Sequence, residues 1–226
     1  MTEEDSNLAH PARKEILGKI EKAARIADRK ASDVSLIAVS KTRNSDEILP
    51  LLKAGHRVFG ENRVQEAAEK WPALQADYPE VELHMIGQLQ SNKAAEAVAL
   101  FDYIHSLDRP SLIKALAREM DRQNRSIPCF LQVNIGEESQ KGGCDIVAVP
   151  QLLEQARESG IAIIGLMAVP PEGTNPAPYF ALLAKLAGDN ELTQISMGMS
   201  GDFETAIKLG ATHIRVGTAL FGPRVT

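Results

Sequence analysis

The 226-residue chain has few of the features that mark disulfide-linked, metal-binding or membrane proteins. Its two cysteines, Cys129 and Cys144, show neither a CxxC nor a cysteine–histidine spacing, so we expect reduced, structural thiols and no metal site. No apolar run approaches the roughly 20 residues that cross a bilayer. The polar, acidic start of the chain does not resemble a secretory signal. These absences predict a cytoplasmic protein with no membrane partner.

An excess of positive charge is also missing. The formal net charge of −5 argues against the broad basic surface that nucleic-acid binding requires. With 44% hydrophobic and 24% charged residues, the composition is that of an ordinary globular protein. The length suits one α/β barrel of about 200 to 250 residues. We therefore expect no nucleic-acid partner and a single domain over residues 1–226, with residues 1–12 flexible.

The sequence does contain a regular alternation of short β-type runs and helical segments. An amphipathic helix is predicted over residues 13–29, followed by eight strand-like runs at 34–40, 57–59, 82–87, 103–106, 128–134, 161–168, 193–196 and 213–216. Eight parallel strands can close into a barrel or lie open as a doubly wound sheet. The strand count and the absence of a GxGxxG motif favour closure. The predicted fold class is therefore α/β, a (β/α)8 TIM-type barrel with an additional N-terminal helix.

Residues just beyond the carboxyl ends of the strands are the first candidates for function in either architecture. Lys41 directly follows the first run, and both faces of that run are apolar. Desolvation at such a position favours the neutral, nucleophilic amine, which can form a Schiff base with a carbonyl ligand. The alternative is a rim lysine that reaches solvent.

The last two strand–helix junctions predict an anion site. Ser200 and Gly201 follow the seventh run, and Gly217 and Thr218 follow the eighth. Backbone N–H groups, small residues and a hydroxyl together suit a phosphate, and barrels often bind phosphate with this pair of loops. Ordinary helix capping, by Ser200 or Asp202, explains one junction taken alone.

Arg215 is the third candidate. On the last run Ile214 and Val216 share one face, so if they face the helices, Arg215 points into the barrel. A buried guanidinium stays protonated and needs an acceptor, either a structural carboxylate or a ligand. An amine, a phosphate site and an inward cation are the contacts that pyridoxal 5′-phosphate requires for its aldehyde, its phosphate and its pyridine nitrogen.

The most specific signal comes from six segments: AVSKT (38–42), FGEN (59–62), HMIGQLQSNK (84–93), GLM (165–167), SMGMSGD (196–202) and IRVGT (214–218). In this order they resemble the pyridoxal phosphate homeostasis proteins, whose fold is similar to the N-terminal barrel of alanine racemase. The resemblance implies that Lys41 forms a Schiff base with pyridoxal phosphate and that Asn62 lines the ring pocket. It further implies that Arg215 meets the pyridine nitrogen and that the phosphate is held by Ser200, Gly201, Gly217 and Thr218.

The resemblance favours a reservoir or carrier that binds pyridoxal phosphate in the cell and passes it to apo-enzymes. An arginine opposite the ring nitrogen opposes ring protonation and weakens the ring as an electron sink, so we expect no strong turnover and assign no catalytic residue. The alternative is a pyridoxal phosphate-dependent amino-acid racemase, which needs proton donors on both faces of the substrate carbon. A phosphosugar-binding barrel without Schiff-base chemistry would use the same anion site.

Other residues receive structural interpretations. We expect a monomer, and the resemblance leaves the role of Lys141 open. The five histidines show no motif that links one of them to a nucleophile, so they are interpreted as structural. Tyr103 falls before a strand end, where packing is expected. Glu66, Glu69 and Lys70 are interpreted as a solvated helix face.

Overall fold

The computed structural model describes residues 10–223, which form a closed barrel of eight parallel strands. The strands are β1 (Ser35–Val39), β2 (Val58–Glu61), β3 (Glu82–Met85), β4 (Tyr103–Leu107), β5 (Cys129–Gln132), β6 (Ile163–Met167), β7 (Gln194–Met199) and β8 (His213–Val216). Strand β1 pairs with both β2 and β8, with Ile37 opposite Arg215 across the closing seam. The predicted TIM-type barrel is confirmed, and the open doubly wound sheet is not formed.

The α-helices of the described region surround the barrel. They are α1 (Pro11–Ile26), α2 (Ser45–Lys53), α3 (Val64–Asp77), α4 (Ala94–Leu100), α5 (Pro110–Gln123), α6 (Val149–Glu158), α7 (Ala177–Asp189), α8 (Phe203–Lys208) and α9 (Thr218–Phe221). Short 3-10 turns occur at Ala31–Asp33, Ser91–Lys93 and Ile146–Ala148. Within residues 10–223, no helix has both the length and the apolar character needed to span a bilayer.

The additional N-terminal helix is confirmed as α1, which starts two residues earlier than predicted. Pro11 occupies its first turn, where the fixed φ of proline suits the helix, and His10 Nδ1 accepts the Arg13 N–H at 3.2 Å as a cap. The helix packs against α8 and α9. Of the segment 1–12 that was expected to be flexible, residues 1–9 lie outside the described residues.

Side-chain alternation on the strands sets what faces the barrel axis. Leu36 and Ala38 of β1 pack in the apolar layer between strands and helices, as do Ile214 and Val216 of β8. Because successive side chains point to opposite faces of a strand, Arg215 of β8 projects into the barrel. The predicted parity of the two seam strands is therefore confirmed.

Local sequence signals fix the first strand–helix unit. Asn44 Oδ1 accepts the Glu47 N–H at 3.0 Å, and Glu47 Oε2 accepts the Asn44 N–H at 2.9 Å. This reciprocal capping box starts α2 directly after the Lys41 loop. Both cysteines are buried and free, and burial raises the pKa of each thiol to about 12, so they are unreactive.

Candidate functional site

A cavity of about 430 Å³ opens at the carboxyl ends of the strands, which we call the mouth of the barrel. It is lined by Val39, Lys41, Asn62, Ile86, Val169, Met199, Ser200, Gly201, Arg215, Gly217 and Thr218. All seven residues that the sequence nominated belong to this lining. Lys41 is half-buried at the edge of the cavity, so the structure does not place it as an isolated lysine on the rim.

The loop that carries Lys41 turns sharply after β1. Thr42, the next residue, has a φ of +62°, a left-handed conformation that is rare for a β-branched side chain and costs about 1–3 kcal/mol. Its backbone N–H donates to Glu66 Oε1 on α3. A specific contact therefore holds the strained turn beside the candidate lysine.

The ammonium group of Lys70, on α3, supports the same loop. Lys70 Nζ donates to the carbonyl oxygens of Ser40 and Arg43 at 2.8 and 3.0 Å, and contacts one carboxylate oxygen each of Glu66 and Glu61 at 2.9 Å. The side chain of Lys70 is only 9% exposed. The interpretation of Glu66 and Lys70 as a solvated face is therefore wrong, because both reach inward to the open backbone groups around Lys41.

Glu61 is the anionic centre of this support. It is fully buried, and its Oε1 accepts from Ser40 Oγ at 2.5 Å and from Trp71 Nε1 at 3.0 Å. Burial raises the pKa of the Glu61 carboxyl, and the nearby Lys70 ammonium opposes this shift. Removing the Lys70 ammonium would leave the Glu61 carboxyl buried without its ion-pair partner, which is strongly destabilising.

Arg215 projects into the cavity and is bound only by neutral groups among the described residues. Its Nη1 donates to Ser196 Oγ at 2.6 Å, and its Nη2 donates to the Ala168 carbonyl at 2.9 Å. None of the ion pairs within residues 10–223 includes it. The alternative of a structural ion pair is therefore wrong for this region. Burial lowers the Arg215 pKa to about 10, against the effect of Asp202, so the cavity still carries a positive charge at neutral pH.

The loops after β7 and β8 are joined by a hydroxyl. Ser200 Oγ accepts the Gly217 N–H at 3.3 Å, while Asp202 Oδ1 accepts the Met199 N–H. Neither side chain caps α8, so the capping alternative does not describe this junction. Thr218 begins α9, and the first N–H groups of a helix have no acceptor within that helix. An added Cβ on Gly201 would meet nothing within 4 Å, which leaves the loop open towards a ligand.

Asn62 lines the cavity, and its backbone lies close to Gly87. A Cβ added to Gly87 would fall 2.3–2.8 Å from backbone atoms of Asn62, so only glycine lets the end of β3 approach this residue. The sequence did not nominate the apolar lining, Val39, Ile86, Val169 and Met199. Their position at strand ends was the available signal, but apolar residues there look the same as packing residues.

Comparison with known proteins identifies the class of this barrel. Residues 17–225 match the family model described as "Alanine racemase, N-terminal domain". The pyridoxal phosphate homeostasis protein of Aquifex aeolicus is 37% identical over 219 residues, which cover 92% of this chain and 95% of that protein. The protein of the same name from Pseudomonas aeruginosa is 39% identical over 215 residues, with 92% and 93% covered.

A solved structure extends the comparison. PipY of Synechococcus elongatus PCC7942, with pyridoxal phosphate (PLP) bound, is 40% identical with a TM-score of 0.74, and the match covers 90% of this chain and 100% of that one. The chain belongs to the family of pyridoxal phosphate homeostasis proteins.

Proposed function

We propose that this protein binds pyridoxal 5′-phosphate in the cavity at the mouth of the barrel and serves as a reservoir or carrier of the cofactor in the cell. The observation that carries the proposal is the set of groups that line one space of about 430 Å³: an amine, a buried guanidinium and two small-residue loops. Two relatives are named pyridoxal phosphate homeostasis proteins, and the PipY structure contains the cofactor.

The chemistry of the lining fits the group. Pyridoxal phosphate supplies an aldehyde, which an amine can capture covalently, and a phosphate with close to two negative charges at neutral pH. Lys41 provides the amine at one edge of the cavity. We assign the phosphate to Ser200, Gly201, Gly217 and Thr218, because hydroxyls and helix-start N–H groups suit an anion.

Two further residues complete the proposed assignment. Arg215 is the donor for the pyridine nitrogen, and Asn62 lies along the ring. A guanidinium donates hydrogen bonds but accepts none, so a partner nitrogen at Arg215 must be an unprotonated acceptor. A ring held in this form withdraws electrons weakly, which favours holding the cofactor over carbanion chemistry.

The geometry supports a carrier better than a racemase. Racemisation needs a second proton donor opposite Lys41, yet the described lining offers no tyrosine or histidine. Tyr103 begins β4 at the opposite end of the barrel, where its ring stacks on His84 at 4.4 Å. Delivery to apo-enzymes, a monomeric state and a cytoplasmic location remain predictions.

Borohydride reduction tests the proposal directly. We expect the protein incubated with pyridoxal phosphate and then reduced to carry one stable label on Lys41, located by peptide mass mapping. The Lys41→Ala variant should lose both the label and the absorbance of the bound cofactor. Lys93→Ala is the matched control, because Lys93 is a part-buried lysine near the same end of the barrel that lies outside the lining of this cavity.

Three results would contradict it. An unchanged label and absorbance in Lys41→Ala would refute the covalent assignment. Phosphate-ester binding that survives this variant without any label would favour the phosphosugar barrel. Enzyme-like exchange of solvent deuterium into the α-carbon of amino acids would favour the racemase.

A further inference from the structure

Below the cavity, the barrel interior holds a set of rings that the proposed function does not use. We call His84, His105, Phe130 and His213 the floor. His84, His105 and Phe130 are fully buried. Phe130 stacks on His105 with ring centroids 4.2 Å apart, and the His213 ring lies 5.0 Å from Phe130. Unlike ordinary packing residues, two of these histidines use both ring nitrogens in hydrogen bonds.

An unbroken hydrogen-bond chain runs from Arg215 through this floor. Arg215 Nη1 is 2.6 Å from Ser196 Oγ, and Ser196 Oγ is 2.9 Å from His105 Nδ1. His105 Nε2 is 2.8 Å from His84 Nδ1, and His84 Nε2 is 2.9 Å from Glu82 Oε1. Glu82 begins β3 and is 40% exposed. The chain therefore connects the cation of the cavity to a carboxylate at the other end of the barrel.

Donor and acceptor rules give the chain one direction while both rings are neutral. Arg215 can only donate and the ionised Glu82 can only accept. Ser196 therefore accepts from Arg215 and donates to His105 Nδ1. His105 donates from Nε2 to His84 Nδ1, and His84 donates from Nε2 to Glu82. In the opposite tautomers, an unprotonated His84 Nε2 would face the Glu82 carboxylate. The Ser196 proton would also lose His105 Nδ1 as its acceptor.

The surroundings favour neutral rings at His105 and His213. The pKa of His105 lies well below its usual value because of burial, with further repulsion from His84, His213 and Arg215. Burial also lowers the pKa of His213 to about 4. The other titratable groups that face His84 are Glu82 on its own strand, whose pKa is lowered by their hydrogen bond, and Tyr103 on β4. Opposite charges thus stand at the two ends of a chain in which His105 is neutral.

We propose that Ser196 and His105 are positioning residues for Arg215, and that the chain to Glu82 orients and polarises the guanidinium that faces the cavity. The role towards the cofactor rests on the proposed function, whereas the direction of the chain does not. The opposite tautomer of His105 would donate to Ser196 from Nδ1, so the Ser196 proton would lose this acceptor. The setting of Arg215 would then change without movement of the backbone.

Nitrogen-15 NMR of the histidine side chains, recorded without cofactor, tests the direction of the chain. At pH 7.5 we expect His105 to be neutral and protonated on Nε2. In Ser196→Ala the His105 signals should change, because the ring loses the donor to its Nδ1. Ser106→Ala is the matched control: Ser106 is an equally buried serine whose hydroxyl has no hydrogen-bond partner in the described structure. A neutral His105 protonated on Nδ1, or identical His105 signals in Ser196→Ala and wild type, would overturn the proposal.

Cofactor titration tests the effect on the cavity. We expect Ser196→Ala to weaken pyridoxal phosphate binding about tenfold, the scale of one hydrogen bond to a charged group, and Ser106→Ala to leave it unchanged. The part-exposed Glu82→Gln should alter the pH profile of binding, whereas Glu80→Gln, an exposed carboxylate paired with Arg57, should not. Equal profiles for these two variants would refute the coupling. Failure of wild-type protein to bind the cofactor refutes the proposed function, and the NMR result still decides the direction of the chain.

Discussion

The two ends of the barrel interior are built from the same strands, but their polar groups are used differently. At the floor, imidazole and aromatic rings stack on one another and bond among themselves. At the mouth, small residues replace the rings, and polar groups face a cavity. Strand β8 shows the change within a few residues, from His213 through Arg215 to Gly217, which directly follows the strand. Stability and binding are thus separated along the strand rather than between strands.

The largest expected difference concerns packing. Phe130→Ala should lower the free energy of unfolding by about 3–5 kcal/mol, because it leaves an enclosed void among the floor rings. Ile86→Ala at the mouth should cost roughly 1 kcal/mol, because Ile86 is half-buried and already borders the open cavity. Urea denaturation of both variants measures the contrast. Equal losses would mean that the mouth is packed as tightly as the floor.

The second expected difference concerns pH. His213, and His56 outside the floor, have pKa values lowered by burial from 6.5 to about 4. Between pH 6.5 and about pH 4, these histidines are therefore protonated in the unfolded chain but not in the folded chain. The free energy of unfolding falls as the pH drops through this window. We expect each of the two histidines to contribute a loss on the order of 2–3 kcal/mol by pH 4.5.

Arg215 at the mouth adds nothing to this slope, since its pKa of about 10 keeps it charged throughout. Urea titrations of wild type, His213→Gln and His56→Gln at pH 7.5 and 4.5 measure each share. A slope unchanged in His213→Gln would show that His213 is not one of its sources.

The smallest expected effect is at Gly201. Because an added Cβ meets nothing there, Gly201→Ala should change the unfolding free energy by less than about 0.5 kcal/mol. Gly198 in the same segment is the contrast: its φ is +91°, and a Cβ would lie 2.5 Å from that of Ala206. Gly198→Ala should therefore cost more than about 1 kcal/mol. Thermal melts of both variants compare them, and a clear loss at Gly201 would show that this loop is packed rather than open.

Local patterns in the sequence were enough for the barrel and for six of the seven nominated lining residues, whereas Asn62 came from the family resemblance. The inward direction of Arg215 followed from its neighbours Ile214 and Val216, and the position of Lys41 followed from the end of an apolar run. Strand β2 was predicted to end at Phe59, but pairing of Gly60 with His84 and of Glu61 with Met85 extends it. Tertiary pairing here overrides the weak β-propensity of glycine and glutamate.

Contacts between distant segments could not be read from one sequence. His105 and Ser196 are 91 positions apart, and their hydrogen bond depends on the relative register of β4 and β7. Lys70 looked solvated because its helix neighbours include charged residues, yet it bonds to carbonyl oxygens 27 and 30 positions away. Buried polar groups need hydrogen-bond partners, and these groups become buried only when the barrel closes.

The seam between β1 and β8 has a consequence for the order in which the protein acquires its activity. Lys41 follows the first strand and Arg215 lies on the last, and the two strands are neighbours only because the barrel closes. During translation, an emerging chain exposes the lysine long before its arginine counterpart is made. If the proposed function holds, a partly synthesised chain lacks the complete cavity and cannot hold the cofactor stably. Stable binding of the aldehyde would then indicate that the barrel has closed.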